Sequence, residues 1–218
     1  HPFTLVFALT SLSWIYSTTR DAQRTLQLTD EAVAVSTKHS FELGLSWATV
    51  LQGWALAEQG REEGLRKLTQ GLSAVAATGA SLNNTFTLAL LAEIYLRHNR
   101  IDEGLGTIEE AQTLAVTGGE LFWHAELLRL KGELLLGQSD PSVQAAEQCF
   151  CEALKIAQDQ HAKMLELRAA TSLAKLWRKL NKLDEAERVL KSVYSRFTEG
   201  ADNPDLIEAK TVLEQLQA

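Results

Sequence analysis

The chain has 218 residues, of which 45% are hydrophobic, and its formal net charge is -7. That acidic balance argues against broad binding to a phosphate backbone, which needs clustered Lys and Arg. No apolar run reaches the ~18 to 20 residues that cross a bilayer, and Cys149 and Cys151 fit a reduced, cytoplasmic setting without deciding it.

With three prolines and long Leu/Ala/Glu/Gln/Lys-rich stretches, the sequence favours helix throughout. The opening segment, 1–16, is apolar but lacks a basic leader and a cleavage site. It carries Thr and Ser at helical spacing, which predicts a buried first helix over 4–18 rather than a signal peptide. Its partner covers 21–38. Further pairs follow: 41–59 with 62–78, 83–98 with 101–117, 121–137 with 142–159, and 161–180 with 183–198. The five pairs thus span 4–38, 41–78, 83–117, 121–159 and 161–198. A closing helix over 204–217 is announced by Asn203-Pro204, a capping residue before a first-turn proline. Gly60, Asn99 and Asn181 sit where a left-handed residue ends a helix. Thr78-Gly79-Ala80 and Thr117-Gly118-Gly119 separate successive pairs, and 137–142 is a longer turn. The chain starts at His1 rather than Met and is read as a segment of a longer protein.

A pattern returns about every 40 residues. Gly64, Gly104, Ala146 and Ala186 are separated by 40, 42 and 40 positions. Leu68, Ile108, Phe150 and Leu190 follow four later; Gly71, Ala111, Ala153 and Val193 follow seven later. The first helices carry their own column, Gly53, Ala92, Gly132 and Ala174, with Leu56, Tyr95, Leu135 and Trp177 three residues on. Compact residues let two helices approach closely, and bulky neighbours one turn away fill the space beside them. A fixed period of this size marks stacked helical pairs. The first pair fits poorly, because 40 residues before Gly64 stands Arg24, with only Ala22 small nearby.

This small–bulky–small spacing with a Gly or Asn turn resembles the tetratricopeptide repeat, lengthened from the usual ~34 residues to about 40. The expected fold is therefore all-α: a tetratricopeptide-like α-solenoid of five antiparallel pairs and a C-terminal capping helix, forming one domain over 1–218. Longer blocks resemble a particular family. They are HPFTLVFAL (1–9), GWALAEQGREEGL (53–65), ATGASL (77–82), LALLAEIYL (88–96), AELLRLKGELLL (125–136), AEQCFCEALKIAQDQHAK (146–163), LELRAATSLAKLW (165–177) and FTEGADNPDLIEAK (197–210). They are similar to the C-terminal helical-repeat region of large bacterial signalling proteins. Those proteins carry a class III adenylate or guanylate cyclase domain and an AAA-like, signal-transduction-type ATPase domain. The turn 200–203 departs from the aromatic-containing form associated with that family. The resemblance implies a regulatory or scaffold role and carries over no catalytic residue. No Gly-x-x-x-x-Gly-Lys-Ser/Thr phosphate loop occurs in the chain.

No convergent catalytic or metal set stands out, and no cofactor is expected. His1, His39, His98, His124 and His161 are scattered. Cys149 and Cys151 lack zinc-site partners and read as buried or half-buried small hydrophobes. Gly104-x-Gly106 lacks the strand a dinucleotide site needs. The better candidate is the concave face. Groove positions of the repeat, carried over by register, give Trp47, Val50, Trp54 and Glu58, then Phe86, Ala89, Glu93 and Arg97. The fourth and fifth pairs give Glu126, Arg129 and Glu133, then Arg168, Thr171, Lys175 and Arg178. That stripe runs from aromatic to basic and suits a peptide or helix with an apolar and an acidic part. The competing reading makes Trp47 and Trp54 core and the charges a solvated, mutually paired face, as the spacings of Glu126, Arg129 and Glu133 allow. The expected role is a non-catalytic interaction or scaffold module for a protein or peptide, including another domain of the same polypeptide. No nucleic acid or membrane partner is expected, and a homo-oligomer is compatible with it. The alternative is a small-molecule-sensing superhelical domain of a signal-transduction ATPase or transcriptional regulator.

Overall fold

A computed structural model describes residues 1–80 and 82–217; Ser81, within one of the blocks quoted above, and Ala218 lie outside the described residues. Among the described residues there are eleven α-helices and no strand. The chain divides into two compact units, His1–Ile94 and Tyr95–Ala218.

The first unit holds α1 (Pro2–Thr18), α2 (Ala22–His39), α3 (Glu42–Glu58), α4 (Glu63–Ala77) and most of α5 (Asn84–Arg97). There α1 packs on α2, α2 on α3, and α3 on α4, while α1 also touches α3. The second unit holds α6 (Ile101–Gly118), α7 (His124–Gly137), α8 (Val143–Asp159), α9 (Lys163–Lys179), α10 (Leu183–Tyr194) and α11 (Pro204–Leu216). Neighbours in sequence pack in turn from α6 to α11, and α7 with α9 and α9 with α11 make the every-other-helix contacts.

One turn is used repeatedly. Arg20, Ser40, Gly60, Asn99, His161 and Asn181 all take positive φ, between 53° and 74°. At each, the N–H of that residue donates to the carbonyl three back, and the next N–H donates to the carbonyl five back. Arg61 N donates to Leu56 O at 3.0 Å, and Lys182 N donates to Trp177 O at 2.9 Å. These paired bonds satisfy the last carbonyls of the outgoing helix and hand the chain directly to the next one. Two helices have bounds that differ from the expectation. Residues 121–123 form a 3-10 turn before α7. Helix α10 stops at Tyr194 because Arg196 and Phe197 tighten to bonds three residues back.

The expected columns form the core: Leu68, Ile108, Phe150 and Leu190 are fully buried, as are Ala111, Ala146, Ala153 and Ala186. In the first unit the α3–α4 contact is backbone on backbone. A Cβ on Gly53 would stand 2.3 Å from the Leu68 nitrogen, and one on Gly64 would stand 2.4 Å from that of Ala57. In the second unit the space opposite Gly132 is filled by the Phe150 ring, 2.4 Å from the same hypothetical Cβ.

The first pair keeps the column after all, displaced by one residue. Thr25, Thr29, Ala32 and Ser36 are its buried members in α2, and Ser13 takes the place of Gly53 in α1. Thr25 and Thr29 turn their hydroxyls back to the carbonyls of Asp21 and Thr25, at 2.8 and 2.9 Å. Thus satisfied, they pack as small apolar groups. The expectation of a buried α1 does not hold: Phe3, Leu5, Phe7, Leu12 and Ile15 are exposed, and burial is confined to Val6, Leu9, Ser13 and Ser17.

Candidate functional site

In the first unit, α1, α3 and the start of α5 line a half-open apolar cavity of about 230 Å³. Phe7 and Trp14 come from α1, Trp47 and Leu51 from α3, and Leu82 and Phe86 from the entry to α5. Trp14 meets Phe86 edge-on, with centroids 5.6 Å apart, a favoured geometry for aromatic pairs. The remaining lining is Thr10, Ser11, Asn83 and Thr87. Thr10 Oγ1 donates to Val6 O at 2.8 Å, and Thr87 Oγ1 donates to Asn84 O at 3.0 Å. Methyls and ring faces therefore dominate the wall.

Two of the aromatic positions expected on the groove, Trp47 and Phe86, meet on this cavity. Trp54 instead lies in the core, 1% exposed, together with Val50 and Ala89. Glu58 and Glu93 are half-buried, and Glu93 is ion-paired to Arg20 at 2.8 Å. The aromatic residues that α1 contributes, Phe7 and Trp14, lie outside the expected groove set, because the column of the first pair is displaced by one residue from the 40-residue spacing.

In the second unit, Arg97 is exposed, while Glu126, Arg129, Glu133 and Arg168 join one largely buried network. Arg129 grips Glu126 with two bonds, at 2.7 and 3.0 Å, and approaches Glu133 at 3.6 Å. Ser172 Oγ donates to Glu133 at 2.6 Å. Arg168 donates to Asp205 at 2.8 Å and lies 3.8 Å from Glu126. Glu126, Arg129, Arg168 and Asp205 are 3, 7, 8 and 2% exposed. Lys175 pairs with Glu208, and Arg178 bonds Gln215. Thr171 is buried, its hydroxyl on Leu167 O. The face is mutually paired, yet its centre is buried rather than solvated. Helix α11 supplies Asp205, Glu208 and Gln215, so the basic end of the stripe is engaged within the chain. The signal for this was the acidic i, i+3 pair of Asp205 and Glu208 on a helix read only as a cap.

The outer faces carry little chemistry. Burial pushes the thiols of Cys149 and Cys151 up, away from the thiolate; Cys149 is half-buried, and Cys151 is exposed on α8 rather than buried or half-buried. Gly106 lies on the open side of helix α6, not in a loop. Among the described residues, no three His, Cys, Asp or Glu gather as a metal site, and no helix is long and apolar enough to cross a membrane.

Comparison with solved structures places the fold. Over 89% of this chain and 95% of the other, it superposes on a kinesin light chain-like protein of Podosopora anserina with nearly identical TPR-like repeats. The TM-score is 0.61 and the identity 17%. Yeast Tom70 is similar over 96% of this chain and 39% of its own length, with a TM-score of 0.60 and 13% identity. No family model matches the chain, and no curated protein sequence does. The fold is all-α, built of tetratricopeptide-like helical pairs.

Proposed function

We propose that this chain is a protein-interaction module whose first unit takes one bulky apolar side chain of a peptide partner into the aromatic cavity. The observation that carries this reading is the cavity itself: about 230 Å³, lined by Phe7, Trp14, Trp47 and Phe86. An engineered apolar cavity of ~150 Å³ accommodates benzene, and drug-sized sites begin near ~300 Å³. The volume therefore suits a single bulky side chain such as Phe or Trp, and aromatic anchors are the kind enriched at protein interfaces. The family resemblance supplies the setting: a regulatory scaffold of a bacterial cyclase/ATPase-type signalling protein, working in the cytoplasm and without catalysis of its own. The groove positions that α11 engages are assigned to holding α11 rather than to a partner's acidic groups.

Selection of displayed helical peptides against the chain tests this. Enriched peptides should share one large apolar residue, and Trp47→Ser should weaken them at least tenfold while Arg178→Ala leaves them unchanged. Peptides indifferent to Trp47→Ser would remove the cavity from the reading. The same volume favours a second reading, a small aromatic ligand. Its mark would be a Tm that climbs steadily with indole or phenol concentration in a chain that enriches no peptide.

A further inference from the structure

Helix α1 carries no charged side chain between Pro2 and Thr18. Three sides of it can be told apart. Val6, Leu9, Ser13 and Ser17 are buried, and Phe7 and Trp14 face the aromatic cavity. The third side is the stripe Thr4, Ala8, Leu12 and Ile15, all exposed, with Leu12 and Ile15 at 44 and 55%. Helical spacing sets these four on one arc, which borders the cavity at Ser11 and leaves Phe7 and Trp14 outside it.

The internal repeat says what such a stripe receives. Aligning Ser13 with Gly53 and Ala174 sets Thr4, Ala8, Leu12 and Ile15 on Leu165, Ala169, Leu173 and Leu176 of α9. That second stripe is nearly the same in character, and it is covered: Leu173 and Leu176 are 1 and 3% exposed. Its cover is α8. Leu165 clusters with Ala157, Ala169 with Ala153, and Leu173 and Leu176 with Phe150 and Ala146. The numbers fall along one stripe as they rise along the other, so the two helices run antiparallel. In the first unit the matching α3 stripe meets α2 in the same way, with Ala48 against Ala32 and Gln52 donating to Asp30 at 2.6 Å.

We infer that the Thr4–Ala8–Leu12–Ile15 stripe of α1 is a docking seat for an antiparallel amphipathic helix of the α8 kind. That helix presents Ala, Phe or Leu, Ala and Ala at positions i, i+4, i+7 and i+11. The small residues permit the close approach that buries the α9 stripe, and the absence of charge on α1 leaves no ionic group to desolvate. The seat is distinct from the aromatic cavity: it uses none of Phe7, Trp14, Trp47 or Phe86.

The test uses the full chain and, as probe, a fluorescently labelled peptide of residues 142–160. Fluorescence anisotropy should show saturable binding with Kd below about 1 mM. Leu12→Glu should weaken it at least tenfold, and Trp47→Ser should leave it unchanged, so that this proposal and the cavity reading can fail separately. Leu12 is exposed, so its variant should fold, and a parent-like circular dichroism spectrum checks that. A peptide carrying Ala153→Glu should not bind. No saturation, or binding indifferent to Leu12→Glu as expected if the probe merely displaced α8 from α9, overturns the proposal. So does sedimentation showing that the stripe joins two copies of this chain, or capture by phosphatidylcholine vesicles that Leu12→Glu abolishes.

Discussion

His161 illustrates how much a single backbone angle holds. It sits at φ 53° and is exposed between α8 and α9, where its N–H donates to Gln158 O at 3.0 Å. A side chain in the left-handed region costs roughly 1–2 kcal/mol, and glycine avoids that while adding ~0.5–1 kcal/mol of unfolded-chain entropy. His161→Gly should therefore stabilise the chain by about 0.5–1 kcal/mol, read as a Tm higher by ~1–4 °C. Glu147 makes the opposite kind of contribution, through charge. The Lys182 ammonium, then the Trp177 indole N–H, both donating to its carboxylate at 2.8 and 2.5 Å, hold its pKa below the usual glutamate range. A depressed folded-state pKa means stability that is fully present above the ordinary value of about 4.3 and lost as the pH falls through the lowered one. Urea midpoints should show Glu147→Gln weaker than the parent at pH 7, with the gap closing as the pH drops below about 4. An unchanged gap across that window would remove the ion pair from the account.

At the scale of the helix, α11 is a structural component of the second unit rather than a simple end-stop. It buries Leu206, Ala209 and Val212 against α9 and α10, and it closes the buried charge network through Asp205. Asp205→Ala would take from Arg168, 8% exposed, its carboxylate partner at 2.8 Å, while the Glu126 carboxylate stands farther off at 3.8 Å. Breaking one partner of a buried pair costs about 3–5 kcal/mol, whereas replacing both by apolar groups is often neutral. Denaturant midpoints should place Asp205→Ala well below the Arg168→Met/Asp205→Leu double variant. The sequence made α11 legible as a helix, because Asn203 and Pro204 mark its start, and Asn203 Oδ1 does accept from Asp205 N at 2.9 Å. Which face of α9 it would cover was not legible. Arg168, Lys175 and Arg178 have the spacing of a solvent-facing stripe whether the acids across from them belong to a ligand or to the chain's own next helix. Local periodicity fixes a direction around one helix, not the identity of its neighbour. The column of the first pair is hidden in the sequence for a related reason. Threonine and serine look polar in sequence, yet Thr25 and Thr29 satisfy their hydroxyls within their own helix, which makes them equivalents of Gly64 and Leu68.

For the whole molecule, the repeat columns imply that packing energy is distributed locally. Gly64 touches Ala57 within the first unit, and Ala186 clusters with Leu167, Ala170 and Ala174 within the second. The two positions belong to different compact units. Helical-pair arrays gain stability as a sum of units and nearest-neighbour interfaces, and distant sites without common contacts add to within ~0.3–0.5 kcal/mol. Gly64→Ala forces a Cβ against the Ala57 backbone, and Ala186→Leu forces extra methylenes into a filled core; each should cost about 1–3 kcal/mol by overpacking. Equilibrium denaturation of the two single variants and the double variant should give a sum that closes within about 0.5 kcal/mol. A coupling energy clearly above that limit would mean that the columns act as one cooperative core, and the description by locally packed helical pairs would then fail.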